Sequence, residues 1–365
     1  MFVKEKMRIS IMRMLLCLLF FSIMLISCNQ SAKEIETSNA NGVVLVQNQS
    51  YYEIVLSNGN SLYFSSYDSE DGLKGLVTDE DSVEVVDNYG TGFFISRDGE
   101  IVTNAHVVSN TIKDKDVNKS VGEILDALKE AIAEVYSETE KEYESAQNAY
   151  DIANYSPEVS YDTFYKIRDY RDQIKGQLQE YAQYYNNVDK IKANESEIKY
   201  HSKISIAYND TYVTNTSDFI SCVVVKYDQE HDLALLQLKD KKTPEDKYVF
   251  QIPEEDPLEK YTFLETVVSK FSDDKNSKLY MTGYNLGPTL ALTSEGVKSQ
   301  FNNGTISQRT SDRIMYSIPA LPGSSGSPVV NMRGELVAVN YAGISGTQSF
   351  NYGIRIKYLK KLIGE

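Results

Sequence analysis

Two hydrophobic rhythms divide the chain. From Val43 to about residue 118, and again from about residue 201 to the end, short apolar or alternating runs are punctuated by turn residues, the mark of β-strands. "YYEIVLSNGNSLYFSS" sets two such runs around Asn58-Gly59, a strong hairpin signal, and Asp98-Gly99 marks another inside "GTGFFISRDGEIVTNAHVV". Further strands are expected at "KISIAY", "FISCVVVKY", "LALLQL", "LYMTGYN", "NNGTISQ", "RIMYSI", "SPVVNMRGELVAVNYAG" and "FNYGIRI", with "IKYLKKLIGE" as a closing amphipathic helix.

Between these β-rich parts the period changes to three and four. Ser120 and Glu123 fit a capping box, and Val121, Leu125, Leu128, Ile132, Val135, Thr139, Tyr143, Ala146 and Tyr150 then recur at helical steps. "NYSPE" breaks this helix at residues 154–158. A second pattern runs through Phe164, Ile167, Ile174, Leu178, Tyr181, Tyr185, Val188 and Ile191. Two helices of about 30 residues, each roughly 45 Å long, joined by a short turn pack antiparallel, so residues 119–200 are expected to form a helical hairpin inserted into a β body. Its seam is rich in tyrosine, which fits coiled-coil packing with wet phenol tips and fits equally a docking surface for a protein partner.

The first residues follow neither rhythm. Lys4, Lys6, Arg8 and Arg13 precede the apolar run "MLLCLLFFSIMLI", too short for a comfortable bilayer span and right for a signal peptide over residues 1–27. "LISC", ending at Cys28, resembles the bacterial lipobox, which implies lipidation of Cys28 and a globular part tethered outside the cytoplasm; an uncleaved anchor leads to the same side of the membrane. Residues 28–42 are small and polar and read as the tether.

Composition narrows the picture further. At 365 residues with 41% apolar content the chain can bury a sizeable core. Its net charge of −15 becomes more acidic once the basic leader is removed, which argues against nucleic acid or anionic lipid as a partner. Cys17 falls in the leader and Cys28 takes the lipid, so Cys222 is left without an intrachain disulfide partner; within "FISCVVV" it reads as a buried small hydrophobe.

Candidate chemistry centres on "LPGSSGSPVVN", residues 321–331, which holds Ser324, Ser325 and Ser327. A serine hydroxyl needs a base, and the base an orienter, before it becomes a nucleophile. Three histidines exist, His106, His201 and His231, and His106 sits in "VTNAHVVSN", where a strand ends and flanking valines can anchor an imidazole facing a cleft. Asp232, directly before the apolar strand of "EHDLALLQL", is placed to accept the Nδ1–H of a histidine, although a solvated strand-initiating aspartate is the plainer reading of any one acidic residue. Ser325 lies between glycines that permit a strained turn with free backbone N–H groups.

Taken together, "GTGFFIS", "TNAHVV", "HDLALLQL", "NNGTIS" and "PGSSGSPVVN" resemble the trypsin-like serine peptidases of the chymotrypsin clan, nearest the HtrA/DegP-type and glutamyl-endopeptidase-type branches. The resemblance covers roughly residues 77–112 and 203–363. It implies a mostly β, double-barrel fold, and a triad in which Ser325 attacks the scissile carbonyl, His106 takes and returns the proton, and Asp232 holds the imidazole in its working tautomer. It also implies an oxyanion hole from the backbone N–H groups of Gly323 and Ser325, with Ser324 and Ser327 as loop residues, and no need of a metal or organic cofactor.

The chain departs from the family's pattern in several places. The interval from His106 to Asp232 holds the whole helical insertion, which a surface loop tolerates at low cost. The sequence ends soon after the peptidase part, leaving no room for the C-terminal PDZ domain usual in HtrA-type proteins. Pro319, six positions before the nucleophile, offers nothing anionic to a Lys or Arg side chain, and no histidine follows His231 to read glutamate as the glutamyl branch does. The expectation is a lipid-anchored, extracytoplasmic serine endopeptidase acting on proteins or peptides, with residues 43–118 and 201–365 as its catalytic body. The alternative is a silent or gated scaffold or sensor whose helical hairpin binds a protein partner.

Overall fold

The computed structural model describes residues 31–259, 278–343 and 350–364. The leader and Cys28 lie outside the described residues. Helix α1 (Ala32–Gly42) leads into strand β1 (Val43–Val55), then β2 (Ser61–Phe64), β3 (Ser66–Asp68), β4 (Gly72–Lys74), β5 (Val86–Phe94) and β6 (Glu100–Thr103). Helix α2 (Ala105–Val108), the long pair α3 (Asp114–Tyr155) and α4 (Tyr161–Asp189), and strands β7 (Glu197–Tyr208), β8 (Ile220–Asp228) and β9 (Leu233–Leu238) follow. The last third holds β10 (Lys278–Gly283), α5 (Pro288–Ala291), the pair β11 (Leu292–Thr293) and β12 (Gly296–Val297), then β13 (Gln300–Arg309) and β14 (Arg313–Tyr316). It closes with β15 (Pro328–Asn331), β16 (Leu336–Gly343), β17 (Asn351–Arg355) and α6 (Ile356–Ile363).

The chain divides into two compact units: one holds the described residues up to Gln49, Asp87–Ser109 and those from Lys203 onward, the other Ser50–Val86 and Asn110–Ser202. The first unit contains two closed six-stranded β-barrels, ordered β1-β5-β6-β9-β8-β7 with β7 returning to β1, and β10-β13-β14-β17-β16-β15. Strand β9 reads as a continuous apolar run because both of its faces are buried. In β9, Ala234, Leu236 and Leu238 fill the first barrel with Val44, Val46 and Phe94, whereas Leu233 and Leu235 turn the other way. They join a core shared with Tyr280, Tyr284 and Leu359 of the second barrel and its closing helix. The second barrel is filled by Leu279, Met281, Ile314, Tyr316, Val329 and Val337.

The second unit is built on a different core. Tyr52, Ile54 and Phe64 pack with Val117, Val121 and Leu125 of α3, so residues 50–86, expected to belong with the first barrel, share a hydrophobic cluster with the helical insertion instead. The two helices are antiparallel: Arg171 lies 3.9 Å over the Tyr150 ring, Tyr170 donates to Glu142, and Lys129 stands 3.7 Å from Asp189. At 42 residues α3 runs to about 63 Å, and α4, at 29, to about 44 Å.

Three expectations are corrected here. Residues 32–42, expected as part of a tether, form α1, because Ser31 and Glu34 make a capping box and Ile35 is buried in the barrel core. Helix α3 begins at Asp114 rather than at Ser120: buried Val117 extends the Val121–Leu125 stripe back by one turn, and Ser120 is itself buried inside the helix. The seam is also thinner than the sequence period implies, since Leu128 and Val135 are 44% and 43% exposed. Among the described residues no helix is long and apolar enough to cross a membrane.

Candidate active site

Strand β6 ends at Thr103, and the chain turns at Asn104 into the single helical turn α2. Val107 and Val108 are buried in the first barrel's core, which pins the turn and leaves the His106 side chain 40% exposed between them and the strand. Asp232 immediately precedes β9, the strand paired with β6 in register Thr103 to Ala234, so the sheet itself carries aspartate and histidine to the same end. The imidazole Nδ1 of His106 lies 2.7 Å from Asp232 Oδ2, and the His106 backbone N–H donates to Asp232 Oδ1 at 2.9 Å. The carboxylate thus binds both the ring and the main chain of one residue, which fixes the tautomer with hydrogen on Nδ1 and frees Nε2 as an acceptor.

The serine loop lies between β14 and β15 and is docked on the same strand ends. Thr91 N–H donates to Ser325 O at 2.7 Å, Thr91 Oγ1 donates to Gly323 O at 2.9 Å, and Thr103 Oγ1 donates to Thr91 O at 2.7 Å. Gly326 has φ +89°, and a Cβ there would stand 2.1 Å from Thr91 O and 2.5 Å from Thr103 Oγ1. A Cβ on Gly90 would lie 2.7 Å from Val107 Cγ1 and 3.2 Å from Ser325 O, which places the serine backbone and the residue after His106 against the same glycine.

Within the loop three backbone amides are spent on carbonyl acceptors. Ser324 N–H donates to Leu321 O, Gly326 N–H to Asn340 O and Ser327 N–H to Ser324 O. The N–H groups of Gly323 and Ser325 have no acceptor among the described residues. Two unspent donors flanking a serine are what a developing oxyanion requires. Asn340 supports the loop from behind: its Nδ2 donates to Ser324 O at 2.9 Å, and its Oδ1 accepts from Tyr316 Oη at 2.8 Å. Burial pushes the Tyr316 phenol well up, so it remains a neutral donor.

Ser325 Oγ donates to Tyr341 O at 3.5 Å, the outer limit of a hydrogen bond, and not to His106. Hydrogen bonds between a nucleophile and its base are often loose before substrate arrives. The other two histidines are engaged elsewhere. His201 Nε2 pairs with Glu53 Oε2 at 3.0 Å, and His231 Nδ1 pairs with Asp228 Oδ2 at 2.7 Å while its ring stacks on Tyr358. Among the described residues the ligand atoms of Asp228, Glu230 and His231 cluster within 4.8 Å of one another, and His231 Nδ1 is already paired with Asp228 there.

Sequence reading missed Thr91, Asn104, Tyr316 and Asn340 as parts of this site. The available signal was polar residues set inside apolar runs, since buried polar groups are hydrogen-bonded to something. Pro319, six positions before Ser325, is exposed.

Residues 186–339 match the family of the trypsin-like peptidase domain. The matched span includes Asp232 and Ser325, while His106 lies before it in the sequence, ahead of the helical insertion. Among solved structures, a serine endoprotease from Yersinia pestis is similar at 13% identity and a TM-score of 0.42, over 92% of this chain and 66% of that one. No curated protein matches the chain.

Proposed function

We propose that the protein is a serine endopeptidase that cleaves protein or peptide substrates through Ser325, His106 and Asp232. The observation that carries this reading is the doubly bonded His106–Asp232 pair beside a loop whose Gly323 and Ser325 amides are unspent. In the proposed cycle His106 Nε2 removes the Ser325 proton as Oγ attacks the scissile carbonyl. The imidazolium is stabilised by Asp232, and the tetrahedral oxyanion is held by the two amides. His106 then returns the proton to the leaving amine, leaving an acyl-enzyme that water hydrolyses by the same steps in reverse.

Lys and Arg side chains are disfavoured beside the scissile bond. Pro319 supports this: six positions before Ser325, it offers no anion to a Lys or Arg side chain. The leader and the "LISC" sequence support export and anchoring through a lipid on Cys28, on the extracytoplasmic face of a bacterial membrane.

Hydrolysis of a peptide library by the full chain and by Ser325→Ala tests the reading. The expected result is turnover by the wild type reduced by roughly 10⁴-fold or more in the variant. Equal turnover would overturn it. Metabolic labelling with a radioactive fatty acid, abolished by Cys28→Ala, tests the anchor.

The exposed tyrosines along the hairpin, Tyr155, Tyr161, Tyr165, Tyr170 and Tyr184, favour a second role for α3 and α4 as the docking arm of a sensor or gated enzyme. Shortening the arm while keeping Val117, Val121 and Leu125 tests that role. Peptide turnover unchanged with and without the arm removes the gate.

A further inference from the structure

Asn104 stands between β6 and α2, the N-cap position of the helical turn that carries His106. Asparagine is favoured there because its side-chain oxygen can accept an amide of the first turn. Here it makes no such bond. The side chain is fully buried, its Oδ1 has no hydrogen-bond partner among the described residues, and its Nδ2 donates to the backbone carbonyl of Asp232 at 2.8 Å. The orientation of the amide follows from chemistry, since a carbonyl oxygen accepts only and the atom facing it must be the nitrogen. The residue has given up the cap to hold a point on another strand.

That point is unusual. Asp232 has φ +52°, in the left-handed region that a residue with a side chain occupies only when its surroundings hold it there. Its carboxylate is held by His106, through the backbone N–H and Nδ1, and its carbonyl by Asn104, two residues earlier on the same turn. The aspartate is gripped at both ends by one short stretch. If the carbonyl were released, the peptide after Asp232 could rotate toward a relaxed conformation, and the carboxylate plane would turn away from the two donors.

We propose that Asn104 is a positioning residue for the peptidase reaction: it holds Asp232 in its left-handed conformation so that the carboxylate stays in register with His106. The inference rests on the proposed function and deepens it, because Asn104 touches neither substrate nor nucleophile and acts through Asp232. Removing the Nδ2 donor therefore impairs the base without altering substrate binding. Misplacement of a catalytic group by about an ångström lowers turnover roughly tenfold to a hundredfold.

The test is a double-mutant cycle on the full chain with an activated ester or peptide substrate: wild type, Asn104→Ala, Asp232→Ala and the double variant, with kcat, KM and the pH profile of kcat/KM for each. In Asn104→Ala the expected result is a kcat lowered roughly tenfold to a hundredfold with KM within about twofold. The acidic limb of the profile should move to lower pH, because a misplaced carboxylate supports the imidazolium less. In the Asp232→Ala background the same substitution should cost nothing further.

Asn104→Ser, which keeps a shorter donor, is carried through the same cycle and should retain more kcat than Asn104→Ala. It also serves as the measured variant if the alanine form fails to fold by circular dichroism. An equal fractional loss with and without Asp232, or an unmoved acidic limb with unchanged kcat, would overturn the positioning role while leaving the triad standing. Full turnover in Asp232→Ala alone would instead overturn the reading on which it rests.

Discussion

The carboxylate of Asp232 grips His106 twice, at the ring through Nδ1 at 2.7 Å and at the main chain through the backbone N–H at 2.9 Å. One oxygen sets the tautomer and the other sets the direction in which the ring leaves the backbone. Asp232→Asn should therefore preserve the fold and present an amide that can favour the wrong tautomer, lowering kcat by about 10⁴-fold. Full activity in Asp232→Asn would count against the pair as base and orienter.

The serine loop depends on Gly326 in a way that substitution can reveal. With φ +89° and a prospective Cβ at 2.1 Å from Thr91 O, Gly326→Ala should lose about 1–3 kcal/mol to backbone strain alone, and more to the clash. It should also displace the Ser325 amide. Thermal unfolding and peptide turnover should both be impaired, and a variant as stable and active as the wild type would show that the loop does not need this conformation.

Much of this arrangement was legible in the sequence because its signals are local. The glycine-flanked serines, the valine-anchored histidine and the aspartate opening an apolar strand each occupy a turn next to a strand, and their order along the chain survives the insertion. What was illegible depends on partners distant in sequence. Residues 50–86 read as barrel strands because alternation reports a buried face without naming what covers it, and α3 covers it. For Asn104, only the position of the Asp232 carbonyl reveals how its amide is used. The short polar stretch before Val43 hides a helix because a single apolar residue, Ile35, anchors it.

Cys222 is 6% exposed within the first barrel, and burial pushes its thiol up to about 12. At that value the thiolate, which is the reactive form, is scarce at neutral pH. Peptide mapping after iodoacetamide treatment should find Cys222 unmodified in the folded protein and alkylated after denaturation. Ready alkylation of the native chain would contradict its burial.

In the second unit, Glu53 accepts from Ser61 Oγ at 2.7 Å and pairs with His201 at 3.0 Å. The Ser61 hydrogen bond first, and then His201 and Lys199, hold its carboxyl below the ordinary 4.5 against the opposing effect of burial. A carboxylate depressed in the folded state adds stability above its unfolded pKa and loses it as pH falls through the folded value. The melting temperature of the wild type should therefore drop more steeply than that of Glu53→Gln between about pH 5 and 3. Parallel curves would exclude the contribution.

The most direct measurement of the central claim is covalent capture by a fluorophosphonate, which phosphonylates a serine only when a base removes its proton as fluoride departs. Tandem mass spectrometry of the labelled full chain should place the adduct on Ser325, with labelling lost in both Ser325→Ala and His106→Ala. An adduct on Ser324 or Ser327, or no adduct on the folded wild type, would contradict the account.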